Sequence, residues 1–221
     1  MEKIREGVLR FRNYIFPHMR GIFGRLSEGQ EPHALLITCS DSRVVPNLIT
    51  DTPPGELFIE RNPGNIAPVY GKSAIGGVSA SIEYAVAVLH VPNIIVCGHS
   101  DCGAVKGMLV PQTLSKIPAV KSWLEHGPSL DEVAGIEDPT ERLRVLTELN
   151  VLMQVENLKT HPSVAEKLKR KKIGLHGWVF DIETGLIRAW NEKAGKFKTW
   201  PPVPKEKDGK EKAAKEKGKK K

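Results

Sequence analysis

Two short apolar segments of the chain each lead directly into a polar loop that contains cysteine. Residues 34–38 (Ala-Leu-Leu-Ile-Thr) precede Cys39, and residues 93–97 (Asn-Ile-Ile-Val-Cys) precede Gly98 and His99. Apolar segments too short for helices are typical of strands that are buried on both faces of a parallel sheet. Helical patterns lie between and after them. The sequence therefore predicts an α/β fold with a mostly parallel central β-sheet flanked by helices.

The remaining patterns extend this prediction at both ends. Apolar spacing from Ile4 to Leu26 predicts two helices, which form an N-terminal helical arm assigned to residues 1–28. Residues 177–190 alternate around Glu183-Thr184-Gly185, which predicts a hairpin that adds an antiparallel edge to the sheet. Another strand is expected at 56–60, and helices are expected at 79–89, 139–160 and 163–169.

Length and charge indicate one domain followed by a charged tail. The 221 residues, 40% of them hydrophobic, can bury one sizeable core, which is assigned to residues 1–204. Residues 205–221 hold nine lysines and four acidic residues, and they account for +5 of the formal net charge of +7. This tail has almost no apolar residues and is expected to be disordered. The nearly neutral body argues against specific nucleic-acid binding, although salt-dependent binding of phosphate by the tail stays open as an alternative.

The three cysteines cannot all pair within one chain, which favours free thiols in a reducing compartment. The N-terminal segment lacks the apolar core of a signal peptide, and no apolar stretch approaches the ~20 residues of a membrane span. The sequence therefore predicts a cytoplasmic protein without a membrane span. Its thiols are available as metal ligands.

Three of the cysteine and histidine side chains are candidates for one metal site. The carboxyl ends of neighbouring strands meet at one edge of a parallel sheet, so Cys39 and His99 are expected to lie there together with Cys102. Two cysteines and one histidine suit a tetrahedral zinc ion that keeps a fourth position open. From spacing alone, the alternative that these residues are ordinary core residues stays open. Burial in the core is the favoured interpretation for Cys97, which lies inside the apolar segment.

Asp41 and Arg43 follow Cys39 closely enough to share its pocket. A carboxylate beside a bidentate arginine remains ionised and fixed in place. Asp41 could then orient a zinc-bound hydroxide, or it could bind the metal and close the site. The alternative is an aspartate that caps a turn next to a surface arginine.

Several separate motifs of the sequence resemble the β-class carbonic anhydrases. They are, in chain order, Cys39-Ser-Asp-Ser-Arg43, Arg61-Asn62 with Gly64-Asn65, Ser81-Ile-Glu-Tyr84 and Gly98-His-Ser-Asp-Cys-Gly103. The resemblance covers about residues 3–191. It looks closest to the plant-type subclass and, through Pro46-Asn-Leu-Ile49 and His176-Gly-Trp178, to the cyanobacterial carboxysomal branch.

This resemblance implies the reversible hydration of CO2 to bicarbonate and a proton through a zinc-bound hydroxide. The implied zinc ligands are Cys39, His99 and Cys102, with one Zn2+ per subunit, and Asp41 with Arg43 would form the catalytic dyad. The substrate-binding positions that carry over from the family are Gln30, Phe58, Tyr84 and Gly103. In the family, such residues can come from both subunits of a dimer. The chain is therefore expected to form a homodimer or a higher even oligomer.

Two positions depart from the family pattern. Leu36 stands where the bicarbonate-inhibited subclass carries tryptophan, which favours an open, plant-like site, and Pro63 stands in the pocket wall where a small or aliphatic residue is usual. The alternatives kept beside this interpretation are hydrolysis of CS2 or carbonyl sulfide by the same fold and a non-catalytic carboxysome scaffold. An acidic or carboxysomal partner for the tail, and a location in a carboxysome-like compartment, are further alternatives.

Overall fold

The structure is a computed structural model that describes residues 1–71 and 76–202. The predicted lysine-rich tail at 205–221 lies outside the described residues. The described α-helices are α1 Glu2–Arg10, α2 Phe16–Leu26, α3 Pro46–Thr50, α4 Gly77–Glu83, α5 Gly103–Leu109, α6 Pro118–Leu124, α7 Pro139–Leu158 and α8 Pro162–Lys169. The strands are β1 Ala34–Cys39, β2 Leu57–Asn62, β3 Asn93–His99, β4 Gly174–Phe180, β5 Ile187–Asn191 and β6 Lys196–Trp200. Within these described parts, no helix has both the length and the apolar character needed to cross a membrane.

The six strands form one sheet in the order β2-β1-β3-β4-β5-β6. The first four are parallel, and β5 and β6 are antiparallel to their neighbours. The chain leaves β1 toward β2 on one side and later returns to place β3 on its other side. Such a reversal of strand order opens a crevice at the carboxyl ends of the two central strands. The ends of β1 and β3 are Cys39 and His99.

Helix α7 covers one face of the sheet. Its side chains Val151 and Leu158 belong to the same buried cluster as Leu35 of β1 and Ile94 of β3. The next residues along these strands point to the opposite face, where they form a second cluster with Cys97 and Trp178. Both faces of the central strands are therefore buried, which explains why their sequences are apolar throughout. The predicted α/β class with a mostly parallel sheet is confirmed.

The C-terminal part of the sheet differs from the prediction in one respect. The expected hairpin is present as β4 and β5, but it is not the edge of the sheet, because β6 pairs with β5 beyond it. The missed strand has the sequence Lys-Phe-Lys-Thr-Trp, in which only Phe197 and Trp200 are apolar. Its charged residues are those of a solvated edge strand, and the apolar signal is correspondingly weak.

The N-terminal arm is more continuous than expected. Instead of two separate helices, α1 and α2 are joined by a π-helical segment, Phe11–Ile15, into one run from Glu2 to Leu26. Pro17 is the second residue of α2, directly after the π-helical segment, and it has no backbone N–H with which to continue the helical hydrogen bonds. In this described arm no residue is buried. Several of its large apolar side chains are exposed, among them Ile4, Val8, Tyr14 and Ile15.

Short helices between residues 103 and 133 were not predicted. Helix α5 contains Gly103 and Gly107, which lower helix propensity and break the apolar period. Packing stabilises the helix instead, since a Cβ on Gly107 would lie 3.1 Å from the side chain of Leu114. Tertiary contacts therefore override a weak local signal here.

Candidate metal centre

Three side chains converge at the carboxyl ends of the central strands. Cys39 is the last residue of β1, His99 is the last residue of β3, and Cys102 directly precedes α5. Their ligand atoms all lie within 4.8 Å of one another, and all three residues are buried. Among the residues that the structure describes, this is the cluster that could hold a metal ion.

One nitrogen of the His99 imidazole is hydrogen-bonded and the other has no hydrogen-bond partner among the described residues. Its Nδ1 lies 2.8 Å from the carbonyl oxygen of Ser100. A carbonyl can only accept, so Nδ1 carries the hydrogen and Nε2 keeps its lone pair. This Nε2 is buried and has no hydrogen-bond partner among the described residues. An unpaired buried nitrogen is costly, and a metal ion is the partner that such a lone pair suits.

The two thiols of the cluster are electrostatically coupled. Their Sγ atoms lie 3.9 Å apart. A hydrogen bond from Cys102 lowers the pKa of Cys39 to about 4. The pKa of Cys102 is raised because it donates that hydrogen bond and because it is buried beside the developing thiolate. The pair therefore holds one negative charge readily and a second only with a cation between the sulfur atoms.

Cys97 is separate from this cluster. It belongs to the buried group that contains Leu36 and Trp178, and burial raises the pKa of its thiol to about 12. A thiol that stays protonated is neither a nucleophile nor a metal ligand. The prediction that Cys97 is a core residue agrees with this position.

Asp41 and Arg43 form the pair expected from the sequence. The Arg43 guanidinium donates to both carboxylate oxygens of Asp41, at 3.0 and 2.8 Å. The backbone N–H of Arg43 donates to the same carboxylate. These bonds hold the pKa of Asp41 well below its usual range. Asp41 Oδ2 also lies 3.9 Å from His99 Nε2, so an ionised carboxylate stands beside the ligand cluster.

A second carboxylate holds Arg43 from the other side. Asp101 Oδ2 accepts a hydrogen bond of 2.9 Å from Arg43, and Asp101 also pairs with Lys106. Lys106 and then Arg43 lower the pKa of Asp101. Asp101 was not predicted to have a role, although it lies in the same loop as His99 and Cys102. An acidic residue so close in sequence to two candidate ligands is the signal that could have identified Asp101 as part of the site.

Arg61 braces the loop that carries the pair. Its Nε donates to the carbonyl of Cys39 at 3.0 Å, and its terminal nitrogen donates to the carbonyl of Asp41 at 2.7 Å. Both bonds run from β2 to the end of β1. The sequence motif contained Arg61 without indicating this contact, because the contact depends on the pairing of the two strands.

Of the other predicted site residues, one lies beside the cysteines and three lie away from them. Gly103 is the first residue of α5 and adjoins Cys102. Gln30 and Tyr84 instead line a separate cavity of about 650 Å3, and the Tyr84 ring lies 5.9 Å from that of Phe58. Phe58 precedes the end of β2 by four residues, roughly 13 Å along the strand. One chain therefore does not bring these three side chains to the cysteines.

The donor set fits a zinc ion. Two sulfur atoms bound to one tetrahedral zinc at about 2.3 Å would lie about 3.8 Å apart, close to the 3.9 Å between Cys39 and Cys102. The unpaired His99 Nε2 supplies a third donor of a type that zinc accepts. An α/β fold with two thiols and an imidazole at its topological switch point defines a class, that of metal-dependent enzymes with an open coordination position.

Comparisons with known proteins identify the family within this class. Residues 34–187 match the family described as carbonic anhydrase. The chain is 47% identical over 200 residues to the carbonic anhydrase of Pseudomonas aeruginosa, covering 89% of this chain and 90% of the relative. It is 44% identical over 193 residues to that of Synechococcus elongatus, covering 85% of this chain and 70% of the relative.

Solved structures agree with the sequence relatives. The β-carbonic anhydrase CcaA superposes with a TM-score of 0.86 at 42% identity, over 90% of this chain and 91% of that one. A tetrameric β-carbonic anhydrase of Sordaria macrospora has a TM-score of 0.69 at 32% identity, over 86% and 93% of the two chains. The chain belongs to the β-class carbonic anhydrase family. Its reaction is the reversible hydration of CO2 to bicarbonate and a proton.

Proposed function

We propose that Cys39, His99 and Cys102 hold one Zn2+ per chain and that Asp41 and Arg43 are the catalytic dyad beside it. The observation that carries this proposal is the buried, unpartnered Nε2 of His99 next to two coupled thiols. When bound, zinc supplies Lewis acidity that makes water a nucleophile near neutral pH. The residues of the chain supply charge balance and orientation, with Asp41 as a hydrogen-bond acceptor.

Asp41 is placed to orient the reacting water. Two thiolates cancel the charge of a dipositive ion, so a nearby acceptor is needed to favour the loss of a proton from water. The ionised carboxylate of Asp41 can only accept hydrogen bonds. It would therefore accept a hydrogen bond from a water held near His99 Nε2, 3.9 Å away, and turn the oxygen lone pair toward CO2.

Arg43 keeps Asp41 out of the metal position. Its bidentate bonds hold both oxygens of Asp41, and Asp101 holds Arg43 in turn. This arrangement supports the open site of the plant-type subclass. Two further features support the same subclass. Leu36 is buried in an apolar cluster, and two nitrogens of the Arg61 guanidinium donate to the backbone carbonyls of Cys39 and Asp41.

Sequence similarity also bears on the branch of the family to which the chain belongs. Identities of 44% to carbonic anhydrases of Synechococcus elongatus and Synechocystis support a link to the cyanobacterial branch, but the Pseudomonas aeruginosa relative is as similar. We propose that residues 1–204 form one catalytic domain and that the protein acts in the cytoplasm. A carboxysome-like compartment is the alternative.

We further propose that two chains build each complete site. Gln30, Phe58 and Tyr84 lie away from the cysteines of their own chain, and Tyr84 is 47% exposed. A second chain can bring these side chains to the open side of the metal site. The arm, with Ile4 and Val8 exposed, offers the apolar surface for such an association. The tetrameric relative from Sordaria macrospora is consistent with an even assembly.

Acidic substitutions on the apolar face of the arm should separate the subunits. The double variant Ile4→Asp/Val8→Asp places two charges on side chains that are 62% and 60% exposed in one chain. We expect a monomer by analytical ultracentrifugation, unchanged single-chain folding by circular dichroism, and loss of CO2 hydration. Asn13→Asp, at an exposed polar position of the same arm, is the control and should keep the wild-type assembly. A double variant that assembles normally would contradict the role of the arm.

The proposed function is tested on wild-type protein with measured metal content. We expect about one zinc per chain and rapid CO2 hydration in stopped-flow assays at both pH 7 and pH 8.5. Removal of zinc by a chelator should abolish the activity, and added zinc should restore it. Activity that survives complete removal of metal would contradict the zinc site. Activity at pH 8.5 alone would contradict the open subclass, and a zinc-loaded but inactive protein would leave the scaffold alternative.

A further inference from the structure

A column of polar side chains is buried along one face of α7 and just beyond it. Asn150, Gln154 and Asn157 recur at intervals of three or four residues, so they lie on the same side of α7, and His161 follows shortly after the helix ends. All four are buried. Buried polar groups cost free energy unless they are hydrogen-bonded, so such a column needs a structural reason.

Most backbone partners of this column lie in one segment, and Gln154 Nε2 also donates to the carbonyl of His126 at 3.2 Å. Asn150 Nδ2 donates to the carbonyl of Gly64 at 2.9 Å, and Asn157 Nδ2 donates to the carbonyl of Ala67 at 3.0 Å. Gln154 Oε1 accepts from the N–H of Ala67 at 3.0 Å. The segment held in this way connects the end of β2 to the surface beyond Ala67.

The amide groups also fix one another. Gln154 Nε2 donates to Asn150 Oδ1 at 3.0 Å, and Asn157 Nδ2 donates to Gln154 Oε1 at 3.1 Å. Each oxygen and nitrogen therefore has one consistent orientation along the column. Rotation of one amide would leave its neighbours unpaired, so the column acts as a rigid support.

The segment needs support because its backbone is unusual. Gly64 has a φ of 82° and Asn65 has a φ of 50°, both in the left-handed region. In this conformation the backbone N–H of Gly64 points at Cys39 Sγ, at a distance of 3.5 Å. An N–H donor at this place stabilises the thiolate form of Cys39.

We propose that Asn150 is a positioning residue for the ligand Cys39, acting through Gly64. The inference rests on the proposed zinc site. Asn150 fixes the carbonyl of Gly64. This holds the backbone N–H of the same residue, Gly64, on the sulfur atom of Cys39. The hydrogen bond takes electron density from the thiolate and fixes its direction toward the metal. Polar groups behind a metal ligand commonly set its affinity in this manner.

The test compares two buried asparagines of the same column. Asn150→Ala removes the bond to Gly64, whereas Asn157→Ala removes the bond to Ala67 and leaves Gly64 in place. The zinc dissociation constant is measured by chelator competition, and the thiolate-to-cobalt charge-transfer band is measured on Co2+-loaded protein. We expect Asn150→Ala to weaken zinc binding roughly 10-fold or more and to move the band to longer wavelength. Asn157→Ala should keep wild-type values.

The outcomes separate this inference from the function on which it rests. Wild-type protein that binds neither zinc nor cobalt would overturn both. Wild-type binding with equal values for the two variants would overturn the role of Asn150 alone. If an alanine variant does not fold, Asn150→Ser and Asn157→Ser make the same comparison, because a serine hydroxyl can donate to the carbonyl one turn earlier in the helix. A loss of thermal stability common to both variants, without a band shift, would show a purely structural role.

Discussion

Replacing Cys102 by alanine is expected to remove zinc and CO2 hydration together, whereas replacing Cys97 by alanine should leave both in place. Cys102 supplies one of two sulfur atoms that lie 3.9 Å apart. Without it, Cys39 and His99 are two donors, fewer than the three protein ligands of a catalytic zinc site. We expect less than about one tenth of the wild-type zinc content after dialysis, since loss of a direct ligand exceeds the 10–100-fold effect of an outer group. The rate of CO2 hydration should fall to that of buffer.

Cys97 is a matched control because, like Cys102, it is a free and buried cysteine. Its thiol lies in the apolar cluster with Trp178, inside the protein core and away from the end of the strand. Cys97→Ala should lose some stability through the small cavity that it leaves. Equal loss of zinc in both variants would show that the assay follows unfolding. Retention of zinc in Cys102→Ala would contradict the ligand assignment.

Asp41→Asn is expected to lower kcat/KM for CO2 hydration by roughly 100-fold at unchanged zinc content. Asparagine keeps the shape of the side chain but loses the negative charge, and its amide can donate where a carboxylate only accepts. The paired Arg43 would lose its charged partner, and a water near His99 would lose its hydrogen-bond acceptor. Zinc content and stopped-flow rates on the same preparation provide the measurement.

A carboxylate elsewhere at the same edge of the sheet serves as the control. Asp181 follows β4 and accepts hydrogen bonds from the N–H and hydroxyl of Thr184, which lower its pKa. Asp181→Asn should therefore affect the turn and not the reaction. If Asp41→Asn works at the wild-type rate, Asp41 is only a turn cap. If it loses zinc, its role is to support the ligands.

The central strands and the metal cluster could be predicted because local sequence and chemistry agree there. The segment before Cys39 is buried on both faces, so its apolar sequence has a single explanation. Cys39 and His99 end adjacent strands, and a parallel sheet brings such ends together whatever lies between them. Asp41 and Arg43 are near neighbours in sequence, so their pairing needs no long-range information.

Other features depend on interactions that spacing does not reveal. Arg61 and Asp101 reach the dyad across strand and loop boundaries, and each contact exists only after the sheet forms. The short helix α5 depends on packing between Gly107 and Leu114 rather than on an amphipathic repeat. The edge strand β6 is half solvated and so carries a weak apolar signal. The separation of Tyr84 from the cysteines is likewise a property of the folded sheet.

The placement of ligands on two neighbouring strands links metal binding to the order of folding. Cys39 and Cys102 are 63 residues apart along the chain and meet only when β1 pairs with β3. An unfolded chain offers zinc only the local group around His99 and Cys102, which lacks the third protein ligand. Zinc would therefore bind the completed sheet far more tightly than any earlier state, and its binding free energy would add to the stability of the native state. In the proposed site the ion would therefore bind last and stabilise the folded sheet rather than start its folding.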